Sequence, residues 1–339
     1  MMPRTLIVQT AFIGDVVLAL PMASALRDAG FKVDFLVAPR TAELLASHPD
    51  VSGVLVYDKR GRDRGSLGFL RAVKSVREGR FDFAIIPHRS LRSALLPLFA
   101  GVSERIGFSG PFSALYTCSI PRSSELHEVL RNFSLLEPLG ISPTPPEPPW
   151  LSPGRGHRKK ARAFLSEHGL DDGPIVALAP GSVWPTKRWP PDGFREVAKE
   201  LLRKGIGVVL VGGPGDIALC GRVADGLSPS PAVAAGKMSL MESAALLELC
   251  SVLVSNDSAP VHIASAVGTK VVALFGPTVP AFGFGPYGRE HSIVELDLPC
   301  RPCSSHGGKK CPKGHFMCMK RIAAERVLEE VLVLLGTGT

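Results

Sequence analysis

Cationic, hydroxyl and acidic side chains cluster where apolar runs end, and this pattern is typical of an anion-binding site. The segment PGSVWPTKRWP brings Ser182, Lys187 and Arg188 directly after the apolar run IVALA. Two cations and a hydroxyl next to a close-turning glycine can hold a phosphate group. A solvated surface loop, whose tryptophans pack on the core, is the alternative for an isolated basic segment.

The segment NDSAPVHIASAVG is the most specific motif of the chain. Asp257 and Ser258 open a predicted helix, and Pro260 lies in its first turn, where a missing N–H has no cost. The first-turn amides near Ser258 and Ala259, with the positive end of the helix dipole, predict a seat for a diphosphate. Asp257 can instead only cap the helix, and His262 can be an ordinary core histidine.

Two further carboxylates stand at the mouths of predicted helices. Asp216 follows a glycine turn, where it can accept from a ribose hydroxyl or an adenine amine, or cap the helix. Asp15 ends the loop AFIGD, and it can likewise cap the helix that follows. Its carboxylate can also take a proton from an incoming hydroxyl. We expect the helix dipole to lower the pKa of Asp15, which makes it a weak base that acts late.

These residues must be positioned by strands that alternate with helices. The apolar runs TLIV, KVDFLV, GVLVY and FAII occupy the first half, and IVALAP, GVVLVGG, SVLVSN and KVVALFG the second. We expect the first strand at residues 5–8 and the first helix from Val16. The alternation predicts an α/β fold of two doubly wound, Rossmann-like domains with parallel sheets. Two such domains facing across a cleft would bind their ligand at the carboxyl ends of the strands.

A proline-rich stretch divides the two halves. SPTPPEPPWLSP has six prolines in twelve residues and predicts a semi-rigid linker over residues 142–153. The N-terminal domain is then 1–141 and the C-terminal domain 154–320. The helical period in residues 321–339 predicts a final helix that can dock on either half, including back on the N-terminal domain.

Composition limits the class of protein. The 339 residues are 45% apolar, which excludes a disordered chain, a collagen-like repeat and a disulfide-stapled miniprotein. A net charge of +8 favours an acidic partner: nucleic acid, a phosphorylated metabolite or an anionic membrane surface. Nucleic acid is disfavoured because the 6% of aromatic residues do not interleave with the basic ones as stacking platforms require.

The N-terminal stretch and the cysteine content predict a cytosolic location. Gln9, Thr10 and Asp15 interrupt the apolar N-terminal stretch, which argues against a secretion signal. No stretch reaches the 18 uninterrupted apolar residues of a typical bilayer span. Seven cysteines are too few for a disulfide framework at this length, which fits a reducing cytosol.

Taken together, IGDVVLALPMASALR, PGSVWPTKRWP and NDSAPVHIASAVGTKVVALFGPT resemble the ADP-heptose:lipopolysaccharide heptosyltransferases, inverting enzymes of glycosyltransferase family 9 with GT-B architecture. PGSVWPTKRW and the tail CRPCSSHGGKKCPKGHFMCM are more similar to heptosyltransferase II than to heptosyltransferase I. The resemblance implies a C-terminal domain that binds ADP-L-glycero-β-D-manno-heptose and an N-terminal domain that binds an anionic, lipid A-linked core acceptor, heptosyl-Kdo2-lipid A. It also implies that the reaction requires no cofactor and that the protein acts as a peripheral protein at the inner face of the cytoplasmic membrane.

The resemblance also assigns roles to residues. Asp15 matches the general base, and Lys187 matches the lysine that neutralises the donor diphosphate. Asp216 stands where the family often has a glutamate serving the nucleoside. Donor binding is implied for Ser182, Val183, Lys187, Asp216, Asp257, Ser258, Ala259 and His262. Acceptor binding, with solvated basic loops as the alternative, is expected for Arg60, Arg62, Arg64, Arg89 and Arg92.

A cysteine-rich segment follows the second domain's last motif. Its spacing is C-x2-C-x7-C-x6-C, with two histidines in between. Four thiolates can hold a structural zinc ion, but a second CxxC is absent, so a disulfide and plain packing thiols stay open. The cysteines are Cys300, Cys303, Cys311 and Cys318.

Other functions remain open from the residues alone. A heptosyltransferase I type, another GT-B nucleotide-sugar transferase or a sugar-nucleotide epimerase can use the same diphosphate seat. A non-catalytic nucleotide-sugar binding protein is the alternative outside enzymes.

Overall fold

The chain consists of two compact units, which divide between Leu151 and Ser152. The computed structural model describes residues 2–142, 144–288 and 290–337. Each unit contains a six-stranded sheet whose paired strands are parallel. The α/β fold with two Rossmann-like units is therefore confirmed. The division falls inside the stretch predicted as a linker, of which Pro143 lies outside the described residues.

The first unit begins with a buried strand and alternates from there. Its strands are β1 (Arg4–Gln9), β2 (Lys32–Val37), β3 (Gly53–Val56), β4 (Phe83–Ile86), β5 (Glu104–Phe108) and β6 (Cys118–Ile120). Its helices are α1 (Ile13–Val17), α2 (Pro21–Asp28), α3 (Gly65–Glu78), α4 (Leu91–Ala100) and α5 (Glu128–Ser134), with short 3-10 turns at Pro39–Leu44, Ser113–Leu115 and Glu137–Leu139.

The second unit repeats the alternation. Its strands are β7 (Ile175–Ala179), β8 (Gly207–Leu210), β9 (Ala232–Val233), β10 (Val252–Asn256), β11 (Lys270–Phe275) and β12 (His291–Glu295). Its helices are α6 (Arg155–Glu167), α7 (Pro191–Arg203), α8 (Ile217–Ala224), α9 (Leu240–Glu248), α10 (Ala259–Val267), α11 (Met317–Lys320) and α12 (Ala324–Leu335). Further 3-10 turns lie at Pro185–Lys187, Pro214–Asp216 and Pro280–Phe282.

Both sheets have the same strand order. The first sheet has the order β3-β2-β1-β4-β5-β6, and the second has the order β9-β8-β7-β10-β11-β12. If the strands of each unit are numbered from one to six, both orders are 3-2-1-4-5-6. In each sheet the order reverses between the first and fourth strands. Ligands of open α/β sheets bind at this switch point, beyond the carboxyl ends of the strands. The loops after β1 and β4, and after β7 and β10, are therefore the places to look for chemistry.

Helix α1 begins earlier than the sequence predicted. It starts at Ile13 instead of Val16, because the Asp15 carboxylate accepts the Phe12 backbone N–H at 3.1 Å and closes the first turn from inside. Strand β1 extends one residue beyond the prediction at each end. None of the helices in the described ranges has the length and apolar content that crossing a membrane needs.

Helix α12 packs on the second unit, against α7 and strands β10, β11 and β12. Its buried face adds Val327 and Val331 to the core of that unit. The segment before it is fixed by the indole N–H of Trp189, which donates to the Ile322 carbonyl at 3.2 Å. Of the two halves on which this helix could dock, the second is the one to whose core its apolar face contributes.

The two sides of α12 allow a matched test of this packing. Val331 is 0% exposed, whereas Val333 on the same helix is 63% exposed. We expect Val331→Ala to lower the free energy of unfolding by about 2 kcal/mol, because two buried methyl groups are lost and a cavity is left. Val333→Ala is expected to change it by less than about 0.5 kcal/mol. Urea denaturation measures both, and equal effects would contradict the described docking.

Candidate functional site

The loop that carries Lys187 is tied at both ends to strand β10. The side chain of Asn256, at the end of that strand, is fully buried. Its amide nitrogen donates to the Pro180 carbonyl at 2.8 Å, and its amide oxygen accepts from the Trp189 backbone N–H at 2.9 Å. One asparagine therefore fixes where the loop leaves β7 and where it enters α7.

Lys187 and Asp257 form a buried ion pair at the switch point of the second sheet. The lysine ammonium lies 2.5 Å from Oδ2 of Asp257, and the two side chains are only 13% and 7% exposed. The Thr278 hydroxyl donates to the same carboxylate oxygen at 2.6 Å. Because a buried charge is tolerated only with good partners, this arrangement holds the ammonium in one place. Lys187 and Asp257, each expected from the sequence to bind the donor, therefore lie in direct contact.

Helix α10 begins next to that ion pair and supplies the predicted amide groups. Ser258 is the N-cap, and its hydroxyl donates to the Gly181 carbonyl at 3.3 Å. The N–H groups of Ser258 and Ala259 have no carbonyl one turn earlier to bond, and the dipole adds partial positive charge. His262 lies buried further along the helix. This corner combines an ammonium with helix amides, which suits a phosphate group.

The remaining donor candidates border the same corner. Asp216 accepts the Gly213 N–H at 3.0 Å and so closes the 3-10 turn Pro214–Asp216, but its side chain makes no capping hydrogen bond to α8. A Cβ at Gly181 would overlap the Asp216 carboxylate, so glycine is required for this close approach. The Ser182 carbonyl accepts from the Arg188 guanidinium at 2.9 and 2.6 Å, and Val183 is exposed.

The cysteine-rich segment clamps the lysine loop, a role that the sequence did not predict. Gly308 N–H donates to the Thr186 hydroxyl at 2.8 Å, and the Thr186 N–H donates to the Gly308 carbonyl at 3.2 Å. The rings of Trp184 and His306 stack with centroids 4.9 Å apart. Each contact spans more than 100 residues of sequence, which is why spacing alone could not reveal it.

The four predicted cysteines lie near this clamp as thiols. All seven cysteines of the chain are free, so the disulfide alternative is wrong. A cavity of about 160 Å³ is lined by Thr186 and by three of the four thiols, those of Cys303, Cys311 and Cys318. Burial, with smaller contributions from the neighbouring cysteines, raises the pKa of the Cys318 thiol to about 11. As they are placed, the His, Cys, Asp and Glu side chains of the described ranges form no group of three or more that could hold a metal ion.

In the first unit, Asp15 lies after β1 at the switch point. Burial raises the pKa of its carboxyl to about 6, with a smaller contribution from the negative charge of Glu128. The hydrogen bond from Phe12 opposes this rise. The expectation that a helix dipole lowers this pKa was wrong, because burial outweighs the first turn of a five-residue helix. The carboxylate is consequently a stronger base near neutral pH than the sequence suggested.

A polar cluster beside Asp15 was missed by the sequence analysis. The Thr10 hydroxyl and Nδ1 of His88 lie 3.1 Å apart, joining the loops after β1 and β4. The Lys59 ammonium donates to the Thr10 hydroxyl at 3.4 Å from the loop after β3. Burial, helped by the Lys59 charge, lowers the pKa of His88 to about 4, so this imidazole is neutral at pH 7. Thr10 follows β1 at once, and His88 follows β4 after one residue. Their positions at strand ends could have identified them from the sequence.

The five predicted acceptor arginines all lie exposed in the first unit. Burial, with the charges of Arg60 and Arg92, lowers the pKa of Lys59. Arg92 also reaches the Tyr57 hydroxyl at 3.5 Å. These cations therefore surround the edge of the sheet on which Lys59 and His88 lie, and they give it a positive charge. The three remaining acceptor arginines are Arg62 and Arg64, in the loop after β3, and Arg89, which lies beside Gly110.

Comparison with known proteins gives a family match for most of the chain. Residues 69–313 match the model described as "Glycosyltransferase family 9 (heptosyltransferase)". The chain is 27% identical to lipopolysaccharide heptosyltransferase 2 of Escherichia coli K12, over 98% of both chains. It is 29% identical to lipopolysaccharide heptosyltransferase 1 of Pseudomonas aeruginosa, over 88% of this chain and 86% of the relative. It is 30% identical to lipopolysaccharide heptosyltransferase 3 of Escherichia coli K12, over 79% and 81%.

Solved structures share the fold. A glycosyl transferase family 9 structure from Veillonella parvula has a TM-score of 0.88 and 26% identity, covering 98% of this chain and 97% of its own. The structure of Escherichia coli ADP-heptose lps heptosyltransferase II has a TM-score of 0.78 and 24% identity, covering 98% of both chains. At that identity the second likeness concerns the fold alone.

The clamp on the lysine loop can be tested with two glycines of the same segment. Gly307 has φ +94°, and a Cβ there would lie 2.8 Å from Cβ of Trp184 and 3.2 Å from Cγ of Lys187. Gly314 has φ +74° with nothing within 4 Å. We expect Gly307→Ala to weaken ADP binding about tenfold, or about 1.4 kcal/mol, because the loop must shift. Gly314→Ala carries a comparable backbone strain and is expected to leave the calorimetric Kd unchanged; equal effects would show that the clamp does not position Lys187.

Proposed function

The chain belongs to glycosyltransferase family 9, the heptosyltransferases, and from this we propose that it transfers L-glycero-D-manno-heptose from ADP-heptose to the inner core of lipopolysaccharide. The observation that carries the proposal is the corner of Lys187, Asp257 and the first amides of α10 at the switch point of the second sheet. That corner suits the diphosphate of a nucleotide-sugar donor.

For the donor, we assign the diphosphate to Lys187, Ser182 and the amides of Ser258 and Ala259. His262 and Val183 border this position along α10 and the loop after β7. Asp216 is assigned to the nucleoside, with the carboxylate oxygen that does not cap its own turn. ADP-heptose as the donor is implied by the resemblance of PGSVWPTKRWP and NDSAPVHIASAVGTKVVALFGPT to the ADP-heptose:lipopolysaccharide heptosyltransferases.

Transfer breaks the bond between the anomeric carbon and the β-phosphate oxygen, while the acceptor oxygen forms a new bond to that carbon. Negative charge grows on the departing diphosphate, and the fixed ammonium with the α10 amides stabilises it. Asp257 contributes by holding the ammonium at that place, 2.5 Å from its own carboxylate. A single displacement inverts the anomeric centre.

Asp15 takes the proton of the acceptor hydroxyl in this mechanism. A carboxyl with a pKa of about 6 is ionised at neutral pH and is basic enough to accept a proton as the hydroxyl attacks.

The acceptor is assigned to the first unit. Exposed arginines of two loops, with Lys59 between them, suit the carboxylates and phosphates of a lipid A-linked core. We propose that the acceptor is heptosyl-Kdo2-lipid A, which corresponds to the heptosyltransferase II type. We further propose that the protein acts as a peripheral protein at the inner face of the cytoplasmic membrane. Because relatives of types 1 and 3 are as similar as type 2, the type I acceptor, Kdo2-lipid A, is the alternative.

An assay of ADP release tests the proposed function directly. The chain is supplied with ADP-heptose and with either heptosyl-Kdo2-lipid A or Kdo2-lipid A, and the product is identified by mass spectrometry. We expect release to depend on the heptosylated acceptor. Preference for Kdo2-lipid A would establish the type I alternative, and release with neither acceptor above the rate of donor hydrolysis would overturn the transfer.

The raised pKa of Asp15 predicts a specific pH dependence. Turnover is expected to rise with pH and reach half its maximum near pH 6, because only the ionised carboxylate accepts the proton. Asp15→Asn should lower kcat by about 100-fold or more and leave the Kd of ADP unchanged. The measurement is kcat between pH 5 and pH 8 with saturating substrates.

Two controls separate this role from a structural one. A pKa raised by folding means that the charged Asp15 opposes folding above its unfolded pKa and that the penalty is complete above about pH 6. Asp15→Asn should therefore be no less stable than the unmodified chain at pH 7. Asp28→Asn, at an exposed aspartate of the same unit, should keep normal turnover. A kcat that stays flat through pH 6 would remove Asp15 from the mechanism.

A further inference from the structure

Helix α3 exposes leucines on the side where a surface helix normally carries polar residues. Leu67 is 72% exposed and Leu70, one turn later, is 59% exposed. Phe99 of α4 is 53% exposed and contacts Phe69 of α3 edge-on, with ring centroids 6.1 Å apart. An exposed apolar group of this kind is typical of a contact with another molecule or with a membrane.

Most of the net charge of the chain lies around these leucines. Residues 59–77 contain seven lysines and arginines and one acid, a net charge of +6 out of +8 for the whole protein. The acid, Asp63, is buried and paired with Arg71 at 3.3 Å. The charged side chains that the segment presents to solvent are therefore cationic, and the next acid along α3, the exposed Glu78, pairs with Lys74 at 3.8 Å.

The loop before α3 is ordered by its own aspartates, so its cations are held outward. Asp58 accepts the backbone N–H groups of Gly61 and Arg62 at 2.9 and 3.0 Å. Asp63 accepts the Asp58 N–H at 3.1 Å. A preformed loop loses little conformational entropy when it binds an extended surface.

We propose that Leu67, Leu70 and the surrounding cations form a docking surface for an anionic phospholipid bilayer. Leucines enter the boundary between headgroups and acyl chains, while lysines and arginines bind the negative surface potential. The charge complementarity selects a bilayer over a second copy of the chain, since two such cationic surfaces would repel each other. The inference rests on the proposed function, because the lipid-linked acceptor is what requires contact with a membrane.

The position of the surface fits the site of the first unit. The loop between β3 and α3 carries Lys59, whose ammonium reaches Thr10 at the carboxyl edge of the sheet. A bilayer that lies on the start of α3 therefore borders the edge on which Asp15 and the acceptor cations are found. Sugars that project from the lipid headgroups reach that edge without leaving the membrane surface.

Vesicle sedimentation of the full chain tests the surface. We compare phosphatidylcholine vesicles with vesicles that also contain phosphatidylglycerol. The double variant Leu67→Gln, Leu70→Gln and the single variant Lys74→Glu are each expected to lower binding to the anionic vesicles at least about tenfold, and added salt should weaken binding further. Phosphatidylcholine alone should retain little protein.

Matched controls come from the second unit. Val333→Gln changes another exposed apolar side chain on a surface helix. Arg162→Glu changes an exposed cation on α6, a basic helix that exposes no large apolar side chain. Both should bind vesicles normally. An unchanged circular dichroism spectrum and an unchanged urea midpoint of the leucine variant show that its first unit is folded.

Three outcomes would overturn the docking surface. The first is that the leucine variant binds vesicles as well as the unmodified chain. The second is that Arg162→Glu weakens binding as much as Lys74→Glu. The third is that light scattering shows the leucines joining two copies of the chain. Failure of the proposed function gives a different result. A chain that binds anionic vesicles through α3 but releases no ADP with either acceptor keeps the surface and loses the assigned reaction.

Discussion

The ion pair between Lys187 and Asp257 is the constraint on which the second unit's site depends. Charges that are only 13% and 7% exposed must be matched closely, and the 2.5 Å contact with the Thr278 hydroxyl bond provides that match. Asn256 then fixes the loop at its ends, and Thr186 fixes it in the middle through Gly308. The ammonium is thus placed before any ligand arrives, which is the condition for stabilising a leaving group without reorganisation.

The two units use one strand order for opposite electrostatic purposes. At the second switch point the backbone amides and Lys187 favour negative charge. At the first, burial raises the pKa of Asp15 to about 6, while Lys59 and nearby arginines favour an anionic ligand around it. The fold supplies the same edge twice, and in the proposed reaction a few side chains fit one edge to the diphosphate and the other to the acceptor hydroxyl.

Apolar runs predicted eight strands correctly, because strands buried on both faces are continuous in sequence. The other four, β5, β6, β9 and β12, were missed because they are short or polar, and only pairing with a neighbour makes them strands. Lys187 and Asp257 were predictable since each follows a strand. Thr278 and Gly308 were not, because their partners are 21 and 122 residues away. The pKa of Asp15 was predicted in the wrong direction because burial is set by tertiary packing, which a local helix argument ignores.

The reciprocal hydrogen bonds between Thr186 and Gly308 bear on how such sequences diverge. A change at position 186 removes the hydroxyl that accepts the Gly308 N–H, whereas Gly308 contributes only backbone groups, which a substitution at position 308 retains. The sequence constraint on this contact therefore falls on the Thr186 hydroxyl and on the stacked rings at 184 and 306. The lysine loop and the distant cysteine-rich segment are in this sense one structural unit, although more than a hundred residues of chain separate them.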